Sequence, residues 1–592
     1  MTSQIIALRI ATGFLFAIVA WRIWRVVSPG DSLQDHPAFF FIPVVLCLLV
    51  IEWPRIVWPH ELNMDESQML AQAARFLVHP VPWRDVDGTT SGPLNSLLLC
   101  VPIYFGAPAD WHTSRMVLWV LQCVTLIFLY LALRVFASRA ESQVALLPTI
   151  LFYAFAEGLD YTPYCSEALP ALLISAALWI LAKEWKSDRV SVWPMLILGC
   201  LAGTIPFAKM QAAPLAVFLV IVAVILVRFK SFRDGARKPD AWQAFAAILI
   251  GALLVPGLIL GAVFAKGAFR DFWISYILAS SAYGGQTAFY IKAARLCLLL
   301  ANTDFARYLT STMAIPVGLI FVYRGKMDRL GRQLAVPFMV LLMQIVLTLF
   351  CFFAAGKNFP HYNFLLVPPL TLLFGLAFVG ASTLERGQTE AGQEPRGLPL
   401  KFAAACALLI GFQVLNVPGY VGFAKYLVKS RDEYPTFAVV KSALAAARPG
   451  ESMAIWGWMP RYYVETGLYP GTRDAVGHYV ISSGPYQDYF RSRFLRDMEQ
   501  NRPVLFLDAV AGGMFIWNWK VMDRHECFPA LTKFIDDNYS LYLTVSYTNS
   551  TRMAAWPVRL YVLKERMAEL RLTPTQLTVP DLRIPSRQAS AK

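Results

Sequence analysis

Three long apolar runs, Ala241 to Ala265, Leu334 to Ala355 and Phe359 to Ser382, constrain what this chain can fold into. Each approaches the ~20 residues that carry a helix across a bilayer core. Inside a bilayer an unclosed segment of this kind can satisfy its backbone only as a helix. Composition agrees: 57% of the 592 residues are hydrophobic and 16% are charged, against about 25% charged in soluble domains. The predicted class is a polytopic α-helical membrane protein.

Further spans are expected at 6–27, 38–57, 111–136, 141–158, 165–184, 192–207, 211–229, 242–265, 309–323, 333–354, 360–382 and 399–418, about 12 in all. The net charge of +14 would suggest a nucleic-acid ligand in a soluble protein. Here the basic residues fall in loops: Arg134 and Arg139; Lys183, Lys186 and Arg189; Arg228 to Lys238; Arg324 to Arg332; Arg386 to Lys401. These spans put all five clusters on one side, which the positive-inside rule makes cytoplasmic. The first apolar run is read as a retained helix with its N-terminus outside. Residues 1–37 form that extra helix and a cytoplasmic loop, and 38–419 form the main membrane domain.

The outer side then receives loops 58–110, 159–164, 266–308 and 356–360, together with the chain from 420 to 592. Counting Pro93 to Phe105 as a crossing would invert every later loop, so it is expected to lie at the outer surface as an interfacial helix. Beyond Tyr420, strand-like runs at Val504–Leu507 and Leu541–Tyr547 and helical segments at 437–447 and 486–500 point to a soluble α/β domain. The nine cysteines show no metal-like spacing, and the soluble part holds only Cys527. The membrane protein is expected in the inner (plasma) membrane with this domain extracytoplasmic.

The ionisable residues avoid the spans and gather at span ends on the outer side. Asn63-Met64-Asp65-Glu66-Ser67 opens an amphipathic helix, where an acid can be no more than a cap. Trp83-Arg84-Asp85-Val86-Asp87 follows it. Glu157, Asp160 and Glu167 bracket the second outer loop, and Glu167 begins an otherwise apolar helix, where an unpartnered acid is costly. Lys209-Met210-Gln211 and Gly356-Lys357-Asn358-Phe359-Pro360-His361-Tyr362 add cations. A lysine or His-Tyr pair at such a place can equally be an interfacial anchor. Together these groups suit transfer of a sugar from a lipid phosphate. A carboxylate can serve as base, and lysine, arginine or a divalent metal can hold the departing phosphate.

The order Asn63-Met64-Asp65-Glu66-Ser67, helix, Pro82-Trp83-Arg84-Asp85, then a Gly-Pro helix start resembles the first outer loop of the GT-C glycosyltransferases. These use polyprenyl-phosphate sugar donors, and the lipid A aminoarabinose transferases and protein O-mannosyltransferases are the members most similar in this loop. The resemblance covers roughly 38–420. It implies that Asp65 is the catalytic acid of the first loop, that Glu66 is the neighbouring acid, and that Asp160 or Glu167 is the acid of the second loop. These acids would orient acceptor and sugar, or hold Mg2+ or Mn2+ through Asp65 and Asp160. It further implies that Lys209, Gln211, Lys357, His361, Tyr362 and Arg84 contact donor phosphate and sugar. An outer soluble domain is common in the family, and Trp456-Gly457-Trp458-Met459-Pro460 fits one. Two features depart from the family pattern. Ser91-Gly92-Pro93 stands where Lys-Pro-Pro or His-Pro-Pro is common, so one polar contact is lost or is supplied by Asp87 or Thr90. The span at 6–27 is extra.

The expected activity is sugar transfer to an envelope acceptor (lipid A, another glycolipid, a polysaccharide or a protein) with inversion at the anomeric carbon. A transporter or flippase for a lipid-linked saccharide is the rival, and it would show internal repeats and charges at mid-membrane. A scaffold role for the tail is a third reading. Trp456, Trp458, Trp517 and Trp519 are read as core of the soluble domain, with glycan binding as the alternative.

Overall fold

The computed structural model describes residues 2–27, 36–233, 238–285, 287–322, 331–386, 400–430, 438–510, 521–548 and 557–580. A helix stands at every predicted span: Thr2–Val27, Pro37–Ile56, Trp111–Leu133, Arg139–Phe155, Ala168–Lys186, Val192–Ala208, Ala213–Arg233, Lys238–Ala265, Thr303–Val322, Gly331–Ala355, Val367–Arg386 and Leu400–Val414. Among the described residues, nine segments are long and apolar enough to cross a membrane. Arg139–Phe155 and Val192–Ala208, at 17 residues each, and Thr303–Val322 join them in the bundle. The basic stretches 324–330 and 387–399, residues 28–35, and Trp517 and Trp519 lie outside the described residues.

Pro360–Ala381 is wholly buried and forms the centre of the bundle, whereas only 22% of the apolar stretch of Ala241–Ala265 is buried. That outer helix packs on Val192–Ala208 through glycine. A Cβ on Gly199 would stand 2.3 Å from the Ile248 carbonyl, and one on Gly251 would stand 2.2 Å from the Leu196 carbonyl. In lipid, where apolar burial gives helices no reason to associate, such backbone approach supplies the packing. Pro93–Tyr104 is a 12-residue helix. It is about 18 Å long, too short for the ~30 Å hydrocarbon core.

The predicted boundary at 420 falls inside a helix, Val417–Ser430. Tyr420 is buried there against the bundle: its hydroxyl donates to the Ile51 carbonyl, and the Arg55 guanidinium lies 4.8 Å from its ring. Beyond it stands a mixed sheet of six strands: β1 (Ser452–Gly457), β2 (Tyr469–Pro470), β3 (Leu505–Ala509), β4 (Tyr539–Thr548), β5 (Val558–Leu563) and β6 (Thr575–Pro580). Their order is β2-β1-β3-β5-β4-β6. β1 is parallel to β2 and β3, and β5 runs antiparallel to β3 and β4. β1 and β3 are buried throughout, as expected of strands covered on both faces. Helices Ala438–Ala446 and Gln487–Asn501 stand where the amphipathic pattern predicts them.

The C-terminal domain is docked on the 58–110 loop. The helix Met64–Phe76 carries Arg75 near its end, and Arg75 donates to the Asp85 carbonyl and to the Pro470 carbonyl of β2. The Asp87 amide donates to the Arg473 carbonyl at 2.9 Å. The Asp87 carboxylate takes Arg493 at 2.6 Å and accepts from the Ser275 hydroxyl, while Arg493 also grips Asp474. Arg473 pairs with Asp497 at 2.7 Å and reaches Asp271 at 3.5 Å. Loop, soluble domain and the π-helical stretch Phe272–Ala279 are thus tied through one buried carboxylate.

Candidate functional site

Asn63 caps the helix Met64–Phe76, accepting from the Asp65 amide at 2.9 Å. The same side chain donates through Nδ2 to the Asp160 carboxylate. One asparagine therefore joins the 58–110 and 159–164 loops and sets their two acids near each other. His361, just before the central helix Val367–Arg386, lies between them. Its Nε2 is 3.6 Å from Asp65 and 3.8 Å from Glu167, and its Nδ1 is 3.9 Å from Asp160. Lys209 completes the group at 2.8 Å from Glu167 and donates to Ser166 at 2.7 Å. It also lies 5.4 Å from the Tyr362 ring. Glu167 is fully buried, so Lys209 is the partner that an acid at that helix start requires.

Of these residues Asp65, Ser166, Lys209, His361 and Tyr362 line a cleft, together with Gln68, Met69, Gly88, Thr89, Thr90, Ser91, Tyr283, Phe359 and Trp458. One wall depends on Gly92. A Cβ there would stand 1.9 Å from the Phe207 carbonyl, and this closeness lets Ser91 pair with Lys209 as an isolated antiparallel bridge. The departure Ser91-Gly92-Pro93 thus has a structural purpose. Asp87 is spent on Arg493 and supplies no contact to the cleft; Thr90 lines it. Thr89 has φ +56, held by its amide donating to Asp87 at 2.8 Å.

Burial raises the Asp65 carboxyl above its ordinary value, against the pull of His361 and Lys209. A quarter of its side chain remains accessible. Burial, with Arg295 nearby, lowers Lys357 to about 8. Lys357 stands 4.5 Å over the Tyr283 ring at the edge of the cleft.

Three expected site residues are placed elsewhere. Glu66 is fully buried in a two-pronged pair with Arg115, at 2.6 and 3.0 Å, and accepts from the Leu62 amide. Arg115 also donates to the carbonyls of Arg55, Trp58 and His60, so Glu66 braces the loop and does not face the cleft. Arg84 forks onto Asp85 and reaches the Lys266 carbonyl. Gln211 donates to the Cys351 carbonyl at 3.3 Å. Ser166, Tyr283 and Trp458 line the cleft without having been singled out as its residues. Trp458 had a visible cue in its place beside Gly457, whereas Tyr283 had none.

A divalent ion at Asp65 and Asp160 does not fit the group as arranged, because the imidazole of His361 already stands between the two carboxylates. Among the described residues, the ligand atoms that gather within 4.8 Å are those of Asp508, His525 and Glu526 in the soluble domain. Arg559 sits 2.6 Å from both of those carboxylates. Burial would raise Glu526, yet Arg559 and His525 hold it at about 2.

No family model matches the chain, and no curated protein matches its sequence. Solved structures do match. ArnT from Cupriavidus metallidurans, bound to undecaprenyl phosphate, is 13% identical with a TM-score of 0.51, over 91% of this chain and 100% of that one. The apo state of the same protein matches equally, with 13% identity, a TM-score of 0.51 and the same coverage. The match spans the helical bundle and the C-terminal sheet domain together, and the chain has the GT-C fold.

Proposed function

We propose that this protein is a membrane glycosyltransferase that moves a sugar from a polyprenyl-phosphate donor to an envelope acceptor at the extracytoplasmic face of the inner membrane. The observation that carries the reading is the meeting of Asp65, Asp160 and Glu167 around His361 and Lys209 at one outer cleft. The ArnT structure with undecaprenyl phosphate supports the donor class. Lipid A, another glycolipid, a polysaccharide or a protein would be the acceptor. Charges at the rim, with none of the cluster at mid-bundle, favour this over a flippase.

Asp65 takes the proton of the acceptor hydroxyl as its oxygen bonds to the anomeric carbon. The bond from that carbon to the phosphate oxygen breaks, and its electron pair leaves with the polyprenyl phosphate. A single displacement inverts the anomeric carbon. The raised Asp65 carboxyl is a stronger base than an ordinary one. Lys209, Lys357 and His361 stabilise the negative charge growing on the phosphate, and Tyr362 lines the sugar side. Asp160 fixes Asn63 and, with Glu167, holds His361 in place.

The test compares envelope glycolipids by mass spectrometry in cells carrying wild-type protein or Asp65→Asn. Loss of one glycosylated species with normal protein levels is expected. Near-normal transfer by well-folded Asp65→Asn would overturn the role of Asp65.

A further inference from the structure

Trp456 and Trp458 flank one glycine at the end of β1 and are buried in the same apolar cluster, but Trp458 also lines the cleft. Trp456 is fully buried in the soluble domain, and its indole donates to the Asp523 carbonyl at 3.0 Å. Trp458 lies just past the carboxyl end of β1 and lines the cleft together with Asp65, Thr89 and His361. Open α/β sheets place ligands at the carboxyl ends of their parallel strands, and β1 and β3 are such strands. Among the described residues lining the cleft, Trp458 is the one contributed by the soluble domain.

The ring is held rather than loosely packed. His478 lies 5.9 Å from it, tilted by 39°, and touches Tyr283 at 5.7 Å and Tyr479 at 4.6 Å. Burial, aided by Lys357, lowers His478 to about 3, so it backs Trp458 as a neutral ring. Tyr283, Phe359 and Tyr362 supply further aromatic surface to the cleft. A sugar needs both kinds of surface found here: carboxylates and hydroxyls for its OH groups, and a flat apolar ring for its C–H face.

We propose that the indole of Trp458 is the platform on which the donor's sugar ring lies, so that the soluble domain reads the sugar while the membrane domain holds the phosphate. This rests on the glycosyltransferase reading above. It makes Trp458 a specificity-determining residue and explains why the domain is clamped to the first outer loop through Arg493 and Asp87.

Full-length protein in nanodiscs is incubated with lipids extracted from source-cell membranes, supplemented with undecaprenyl phosphate, and the retained lipids are weighed by mass spectrometry. Wild type should enrich a glycosylated polyprenyl phosphate over the bare phosphate. Trp458→Leu should cut that enrichment about tenfold, the scale of a lost aromatic contact, while retaining undecaprenyl phosphate as wild type does. A purely structural role would move both lipids together. If Trp458→Leu does not fold, Trp458→Met and Trp458→Phe replace it, with Phe expected to keep the enrichment and Met to lose it. Wild type retaining neither lipid would overturn the glycosyltransferase reading. Wild type holding both lipids equally, or enrichment surviving loss of the ring, would overturn the role of Trp458 alone.

Discussion

Two carboxylate clusters, one at each end of the Asp65–Asp87 stretch, are built differently. At the domain junction, Asp87, Asp474 and Asp497 meet Arg493 and Arg473 at hydrogen-bond distance and are buried. At the cleft, Asp65 and Asp160 face His361 at 3.6 and 3.9 Å and keep about a quarter of their side-chain surface accessible. Arginine forks saturate carboxylates and fix geometry. Looser pairs leave lone pairs that a ligand can claim, at the cost of less stability. The junction is thus a fastening and the cleft a place for exchange.

The sharpest way to break this comparison is Asp65→Asn. Transfer should fall by about 10²–10⁴-fold, the usual contribution of a positioned base, with the melting temperature nearly unchanged. Turnover of purified enzyme beside a thermal melt checks both. Arg493→Ala should do the reverse first. Leaving Asp87 and Asp474 buried without their partner should cost about 3–5 kcal/mol of stability, read by denaturation in detergent, and Arg493→Lys should restore part of it. Large destabilisation by Asp65→Asn, or none by Arg493→Ala, would collapse the distinction.

Titration sharpens it further. Asp65 must be ionised to act, and its carboxyl is raised, so kcat should fall on acidification from a pH above the ordinary carboxylate value of ~3.9. Lys357 loses its charge as pH rises through about 8. Donor affinity should therefore weaken above that pH, up to about tenfold per unit, and Lys357→Arg should remove this alkaline limb. The smallest effect is expected from EDTA. With His361 between the cleft acids and Arg559 across Asp508 and Glu526, chelation should leave turnover and melting within error. Loss of turnover restored by Mg2+ would show that a dication displaces the imidazole.

Much of this was legible in the chain, and unevenly so. Spans announce themselves because hydrocarbon admits few alternatives. The strands at Leu505–Ala509 and Tyr539–Thr548 showed through their β-branched and aromatic runs. Asp65, Asp160, Glu167, Lys209 and His361 could be chosen because charge at a span end is conspicuous. Which acid serves structure was not legible: Asp65 and Glu66 are sequence neighbours, and only helical rotation sends one to the cleft and the other to Arg115. Arg115, the partner that takes Glu66, lies inside an apolar helix and was not singled out. The boundary expected at 420 falls within Val417–Ser430, which continues past Tyr420 as one helix.

The helix Met64–Phe76 has Asp65 at one end and, ten residues on, Arg75 pinned to β2. That separation is about 15 Å of rigid rod. A rotation of about 5° at the pinned end would swing the base by roughly 1.3 Å, and displacements near 1 Å can cost about 100-fold in rate. The helix is in effect a lever arm, and small tilts of the soluble domain would be geared directly to the reach of the base.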